Sequence, residues 1–120
     1  MIPQVSIPEF VAARQQPTSR VIDVREQWEY VQGHVPGATW LPMSMVTGRV
    51  DDFRGEPPTY VICRTGNRSG QVVMWLARQG IEAINVAGGT VAWQQAGGAV
   101  VTGTEPGTVE SATSAKGNPA

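Results

Sequence analysis

The chain has 120 residues, of which 41% are hydrophobic and 16% charged, enough for one buried core and too little for two. Nine basic against ten acidic side chains leave a formal net charge of -1, which removes the electrostatic basis for a nucleic-acid partner. No run reaches the roughly 18 apolar residues of a membrane span, and Met1-Ile2-Pro3-Gln4 lacks a signal peptide's basic and apolar regions, so a cytoplasmic, monomeric domain with no membrane partner is expected.

Ser6 and Glu9 have the spacing of a capping box, with Pro8 in the first turn, and predict a helix from Ile7 to Arg14. The two residues before it read as a short edge strand. Arg20-Val21-Ile22-Asp23-Val24 is a β-branched run that suits a buried central strand. Glu26 to Gln32 follows as a short helix ending at Gly33. Ala38 to Leu41 reads as a strand stopped by Pro42, Met43 to Gly48 as a helical turn or two, and Arg49 to Pro58 as a polar connection.

Thr59-Tyr60-Val61-Ile62-Cys63 is the next strand, and a central helix is expected from Ser69 to Gln79 with Gly80 at its C′ position. Val72 to Ala77 is an unbroken apolar run, which predicts burial on more than one side of that helix. Ala83 to Ala87 reads as a strand and Thr90 to Ala96 as a last helix, followed by Gly97-Gly98. From Thr102 to Ala120 there is one valine and no aromatic residue, too little to offset the ordering entropy, so a disordered tail is expected. Alternating strands and helices predict an α/β domain with a mostly parallel sheet.

The only cysteine, Cys63, stands where a strand gives way to Arg64-Thr65-Gly66-Asn67-Arg68-Ser69 and then to a helix. Unsatisfied N–H groups and the positive end of a helix dipole favour an anion there. Together with the charges of Arg64 and Arg68, they should move the thiol below its ordinary pKa of about 8.5. Gly66 permits positive φ, so successive amides can turn inward as an anion nest. The Cys-x4-Arg spacing makes a smaller ring than the Cys-x5-Arg of phosphocysteine phosphatases, suiting a persulfide better than a phosphoryl group. One cysteine allows no internal disulfide and no resolving thiol, and the lone histidine, His34, gives no metal site.

The segment from Val21 to Ala38 contains Asp23-Val24-Arg25-Glu26, Glu29-Tyr30, Gly33-His34-Val35 and Gly37-Ala38 in order, and Gly88-Gly89-Thr90-Val91-Ala92-Trp93 follows the cysteine loop and its helix. Over residues 5 to 101 the chain resembles the rhodanese-like sulfurtransferases. The resemblance implies a small doubly wound α/β domain over residues 1–101, with about five mostly parallel strands and helices on both faces. It also implies a two-step reaction without cofactor or metal. Cys63 takes the outer sulfur of thiosulfate or another persulfide donor and passes it to cyanide, a thiol or a protein acceptor.

In that scheme Arg64, Thr65, Gly66, Asn67, Arg68 and Ser69 bind the anionic donor and hold the persulfide. Arg64 acts through its exposure and Arg68 through loop structure, while Asp23 and Arg25 brace the loop. His34 has a structural place in its turn. Trp75 and Trp93 read as core; Trp40 reads as packing or as the mouth of the pocket. Two other classes remain open to the sequence. One is a sulfur-carrier or interaction module serving cofactor or nucleoside thiolation. The other is a phosphatase or arsenate reductase of the same fold, against which the loop spacing argues.

Overall fold

Alternating side chains on very short strands decide the architecture of the computed structural model, which describes residues 2–114. The strands are β1 (Gln4–Val5), β2 (Val21–Asp23), β3 (Thr39–Trp40), β4 (Thr59–Ile62) and β5 (Ala83–Val86), and they form one sheet in the order β1-β5-β4-β2-β3. Every pairing in it is parallel. β2 and β4 lie at the centre and all their residues are buried, as strands covered on both faces must be. Val61 and Cys63 pack on one side with Val72, Val73 and Leu76. Tyr60 and Ile62 pack on the other with Phe10 and Trp93.

The covering helices are α1 (Ile7–Ala13), α2 (Gln27–Gln32), α3 (Asn67–Arg78) and α4 (Gly89–Gln95). The Ser6 and Glu9 capping box is formed in both directions. The fold is therefore the expected α/β domain, with a five-stranded parallel sheet and helices on both faces.

Three expectations about α3 and the connection before β4 differ from what the chain does. The central helix begins at Asn67 rather than Ser69, because Gly66 turns the chain at φ 101 and the helix follows at once. That helix is also buried on one side only. Val72, Val73 and Leu76 face the sheet while Met74 is exposed, since a short apolar run still rotates about 100° per residue. The polar connection from Arg49 to Pro58 carries a 3-10 turn, Val50–Phe53, whose Phe53 is wholly buried and anchors the segment to the core. The preceding turn, Met43–Gly48, is likewise 3-10.

Residues 102–114 are folded back on the domain instead of forming a disordered tail. Gly103 N–H donates to Val31 O at 2.8 Å and Gly37 N–H to Pro106 O at 2.9 Å. Strand β6 (Ala99–Val100) pairs antiparallel with β7 (Thr113–Ser114). Backbone hydrogen bonds hold the segment where its sequence has almost no apolar side chains to bury. Positions 115–120 of the expected tail lie outside the described residues.

Candidate active site

β4 delivers Cys63 to the C-terminal edge of the sheet, where parallel α/β sheets place their ligands. Gly66 then reverses the chain, so its own amide points back and donates to Cys63 Sγ at 3.1 Å. Ser69 Oγ, in the first turn of α3, lies 3.2 Å from the same sulfur. Cys63 is 1% exposed and forms the floor of this loop.

Burial alone pushes the thiol up. The Ser69 hydroxyl and the amides of Ser69, Gly66 and Thr65 outweigh it, and the net pKa lies below the ordinary value. The direction is the expected one, but its main source is hydrogen bonding rather than the two arginines. Arg68 is committed elsewhere, with Nη1 and Nη2 at 2.8 and 2.9 Å from Glu29 Oε1 and Oε2. The carboxylate offsets much of that guanidinium's charge, and the coupling with Cys63 that remains is a smaller contribution than the hydrogen bonds. The carboxyl of Glu29 is held down to about 2 by the same hydrogen bonds. Arg64 is exposed and borders a cleft of about 240 Å³ with Arg25, Trp28, Glu29, Thr90 and Gln94.

The Gly88-Gly89 turn has a visible purpose. A Cβ on Gly89 would fall 2.4 Å from Cys63 O and 2.5 Å from Arg64 O, a space only glycine leaves open. Into it the first turn of α4 brings Thr90 N–H to Cys63 O at 2.9 Å, Thr90 Oγ1 to the same oxygen at 3.1 Å, and Val91 N–H to Arg64 O at 3.0 Å. The loop is thus pinned at its start by α4 and at its end by α2 through Glu29.

Asp23 and Arg25, expected to brace the loop, brace something else. Both are buried, and Arg25 Nε and Nη2 each lie 2.9 Å from a carboxylate oxygen of Asp23. The remaining contact of the guanidinium is with Gly33 O at 2.8 Å, which holds the end of α2. Their influence on the cysteine runs through α2, because both side chains are satisfied before they reach the loop. Thr65 and Asn67 are exposed, and neither side chain bonds to the sulfur.

His34 is wholly buried, stacked on Tyr30 with ring centroids 3.6 Å apart. Its Nδ1 lies 2.8 Å from Tyr30 O and its Nε2 2.9 Å from Glu105 O, so both ring nitrogens are engaged by backbone, as a structural role requires. Trp40 donates through Nε1 to Arg25 O at 2.8 Å and packs beside the pair. The aromatic residue at the cleft is Trp28, 64% exposed.

Glu29, Asn85, Thr90 and Trp28 are the residues that sequence reasoning passed over. Glu29 stands beside Tyr30 in the segment that carries the resemblance, and nothing near it in the sequence names Arg68 as its partner. Asn85 carried a signal of its own, an amide inside an apolar strand, which demands a buried partner; its Oδ1 lies 2.6 Å from Ser69 Oγ.

Fold and cysteine loop together define a parallel α/β domain that cradles a single thiol at the end of a central strand, and the chain belongs to the rhodanese-like domain family, whose model matches residues 6–96. It is 32% identical over 94 residues to the putative sulfur carrier protein YrkF of Bacillus subtilis, covering 77% of this chain and 51% of that protein. It is 35% identical over 74 residues to the putative sulfurtransferase YtwF of the same organism, covering 62% and 72%. The chain thus spans about half the length of the first of these relatives. The crystal structure of a rhodanese-related protein from Thermoplasma volcanium superposes with a TM-score of 0.76 at 26% identity, over 86% of this chain and 99% of that one.

Proposed function

We propose that this chain is a sulfurtransferase that moves a sulfane sulfur through a persulfide on Cys63. What carries the reading is the cradle around the one thiol, with the Gly66 amide at 3.1 Å and the Ser69 hydroxyl at 3.2 Å from Sγ. Family membership and relatives named for sulfur transfer and sulfur carriage support a general role of this kind.

The thiolate attacks the outer sulfur of a donor such as thiosulfate. The sulfur–sulfur bond of the donor breaks, its electron pair leaves with sulfite, and Cys63 holds the new sulfur as a persulfide anion. The inward amides of Gly66, Thr65 and Ser69 bear that negative charge. A thiophile such as cyanide then attacks the outer sulfur, and the electron pair returns to Cys63. Arg64, exposed beside the cleft, draws the anionic donor in. Arg68 acts through Glu29 by keeping the loop closed.

Intact-mass analysis after thiosulfate treatment tests this. A gain of about 32 Da, reversed by cyanide and absent from Cys63→Ser, is the expected result, because an alcohol cannot form the persulfide. No gain in the folded wild type under any sulfane donor would sink the reading. The likeness to a putative sulfur carrier also favours a second reading, a carrier loaded by a protein persulfide. Slow loading by thiosulfate with fast loading by a persulfidated protein would select it.

A further inference from the structure

Ser69 has one hydroxyl hydrogen and faces two acceptors. Its Oγ lies 3.2 Å from Cys63 Sγ and 2.6 Å from Asn85 Oδ1, and one hydroxyl hydrogen serves one direction at a time. The Asn85 carboxamide is not free to turn over. Its Nδ2 lies 3.3 Å from the carbonyl oxygen of Gly66, which can only accept, so a reversed amide would set two oxygens against each other. Asn85 is 3% exposed, and Ser69 is the donor its Oδ1 meets among the described residues.

We infer that Asn85 is a positioning residue that restrains the ionisation of Cys63 by competing with its sulfur for the single hydrogen of Ser69. While the thiol is neutral the hydrogen goes to Asn85, the shorter contact. As the sulfur loses its proton the hydroxyl turns toward it, and Oδ1 is left buried without a donor, which opposes ionisation. The amides of Gly66, Thr65 and Ser69 do not switch and form the constant part of the cradle. The same carboxamide grips the Gly66 carbonyl, so one side chain governs both the adjustable donor and the set of the loop. A thiol restrained in this way gains nucleophilicity, because attack is fastest when the thiol pKa lies near the ambient pH.

The charged groups around the sulfur do not reproduce this effect. They are Arg64 beside it, Arg68 of α3 paired with Glu29 of α2, and the Asp23–Arg25 pair at the end of β2. β1, β5 and α4 contribute no charged side chain. None of them bonds to the Ser69 hydroxyl, whose partners are Cys63 Sγ and Asn85 Oδ1.

The inference deepens the sulfur-transfer reading and rests on Cys63 as its nucleophile, but its test reads the thiol directly. The rate of iodoacetamide alkylation is measured against pH on the full chain, whose one cysteine makes the signal unambiguous. Asn85→Leu should lower the midpoint by about one unit, a tenfold change in thiolate well below the midpoint. Ser69→Ala should raise it, and Asn85→Leu should then move it little. A folded Asn85→Leu with an unchanged or raised midpoint overturns the inference, and so does an equal lowering with and without the Ser69 hydroxyl. If Asn85→Leu fails to fold, Asn85→Val, whose β-branched side chain suits a strand, is held to the same signs. Titrations with these signs beside a wild type that never takes up sulfur would discard the transfer reading alone. Normal loading beside the wrong signs would discard the role of Asn85 alone.

Discussion

Two arginine–carboxylate pairs flank the cysteine loop, and they hold different things. Asp23 and Arg25 are two residues apart, both buried, and their contacts close on one another and on Gly33 O. Glu29 and Arg68 are 39 positions apart, on α2 and α3, and the Arg68 side chain is 34% exposed. A short-range pair sets the shape of its own segment, whereas a long-range pair sets one element against another. The loop that presents Cys63 therefore takes its position from α2 through Glu29, and the buried pair keeps α2 itself in place.

That division can be broken by removing one partner at a time. Asp23→Ala carries the largest expected effect, because it leaves a guanidinium buried and unpaired, at a cost of about 3–5 kcal/mol. The urea midpoint measures it. A loss well under about 1 kcal/mol would mean that Arg25 finds another partner and that the pair is not the anchor of α2.

Glu29→Gln should cost less, about 1–2 kcal/mol, the value of hydrogen bonds to a charged group reduced because Arg68 is partly in water and its attraction is screened. The pH dependence sharpens the contrast. The Glu29 carboxyl lies at about 2 in the folded protein against an ordinary value of 4.5. A depressed folded value means stability that is whole above about pH 4.5 and is lost as the pH falls toward 2. The stability difference between wild type and Glu29→Gln should therefore shrink across that window. A difference that stays constant down to pH 2 would show that the fork contributes nothing through charge. The same variant loosens the end of the loop, so thiosulfate loading of Cys63 should slow in it while Asp23→Ala, if folded, alters loading only as far as α2 shifts.

The contrast also shows why the sequence disclosed the loop better than its supports. Strand, Gly66 and helix follow one another along the chain, so the cradle was legible from neighbouring residues, and so was the parallel sheet built from β-branched runs. Glu29 meets Arg68 only after two crossovers of the sheet, and nothing in the spacing of either residue names the other. Asp23 and Arg25 stood at the end of the right strand, yet which group a buried arginine satisfies depends on where the carbonyl of Gly33 lands. The order of the segment after Val101 is hidden from the sequence for a related reason. Its own groups in the hydrogen bonds with Val31, Gly37 and the His34 ring are backbone, which composition does not report.

The smallest expected effect decides whether Trp40 belongs to the buried pair or to the path of the donor. Its Nε1–H donates to the carbonyl of Arg25 at 2.8 Å, and its ring lies 6.4 Å from that of Tyr30. Trp40→Phe keeps most of the apolar area and removes the donor, leaving the Arg25 carbonyl short of one partner, at about 0.5–1.5 kcal/mol. If Trp40 serves the pair, thermal stability falls by that amount while the KM for thiosulfate stays where it was. If it lines the approach to Cys63, KM rises and stability barely moves. The cleft beside Arg64 is bordered by Trp28 and not by Trp40, so the stability change is the expected outcome, and Trp28→Ala should be the variant that moves KM.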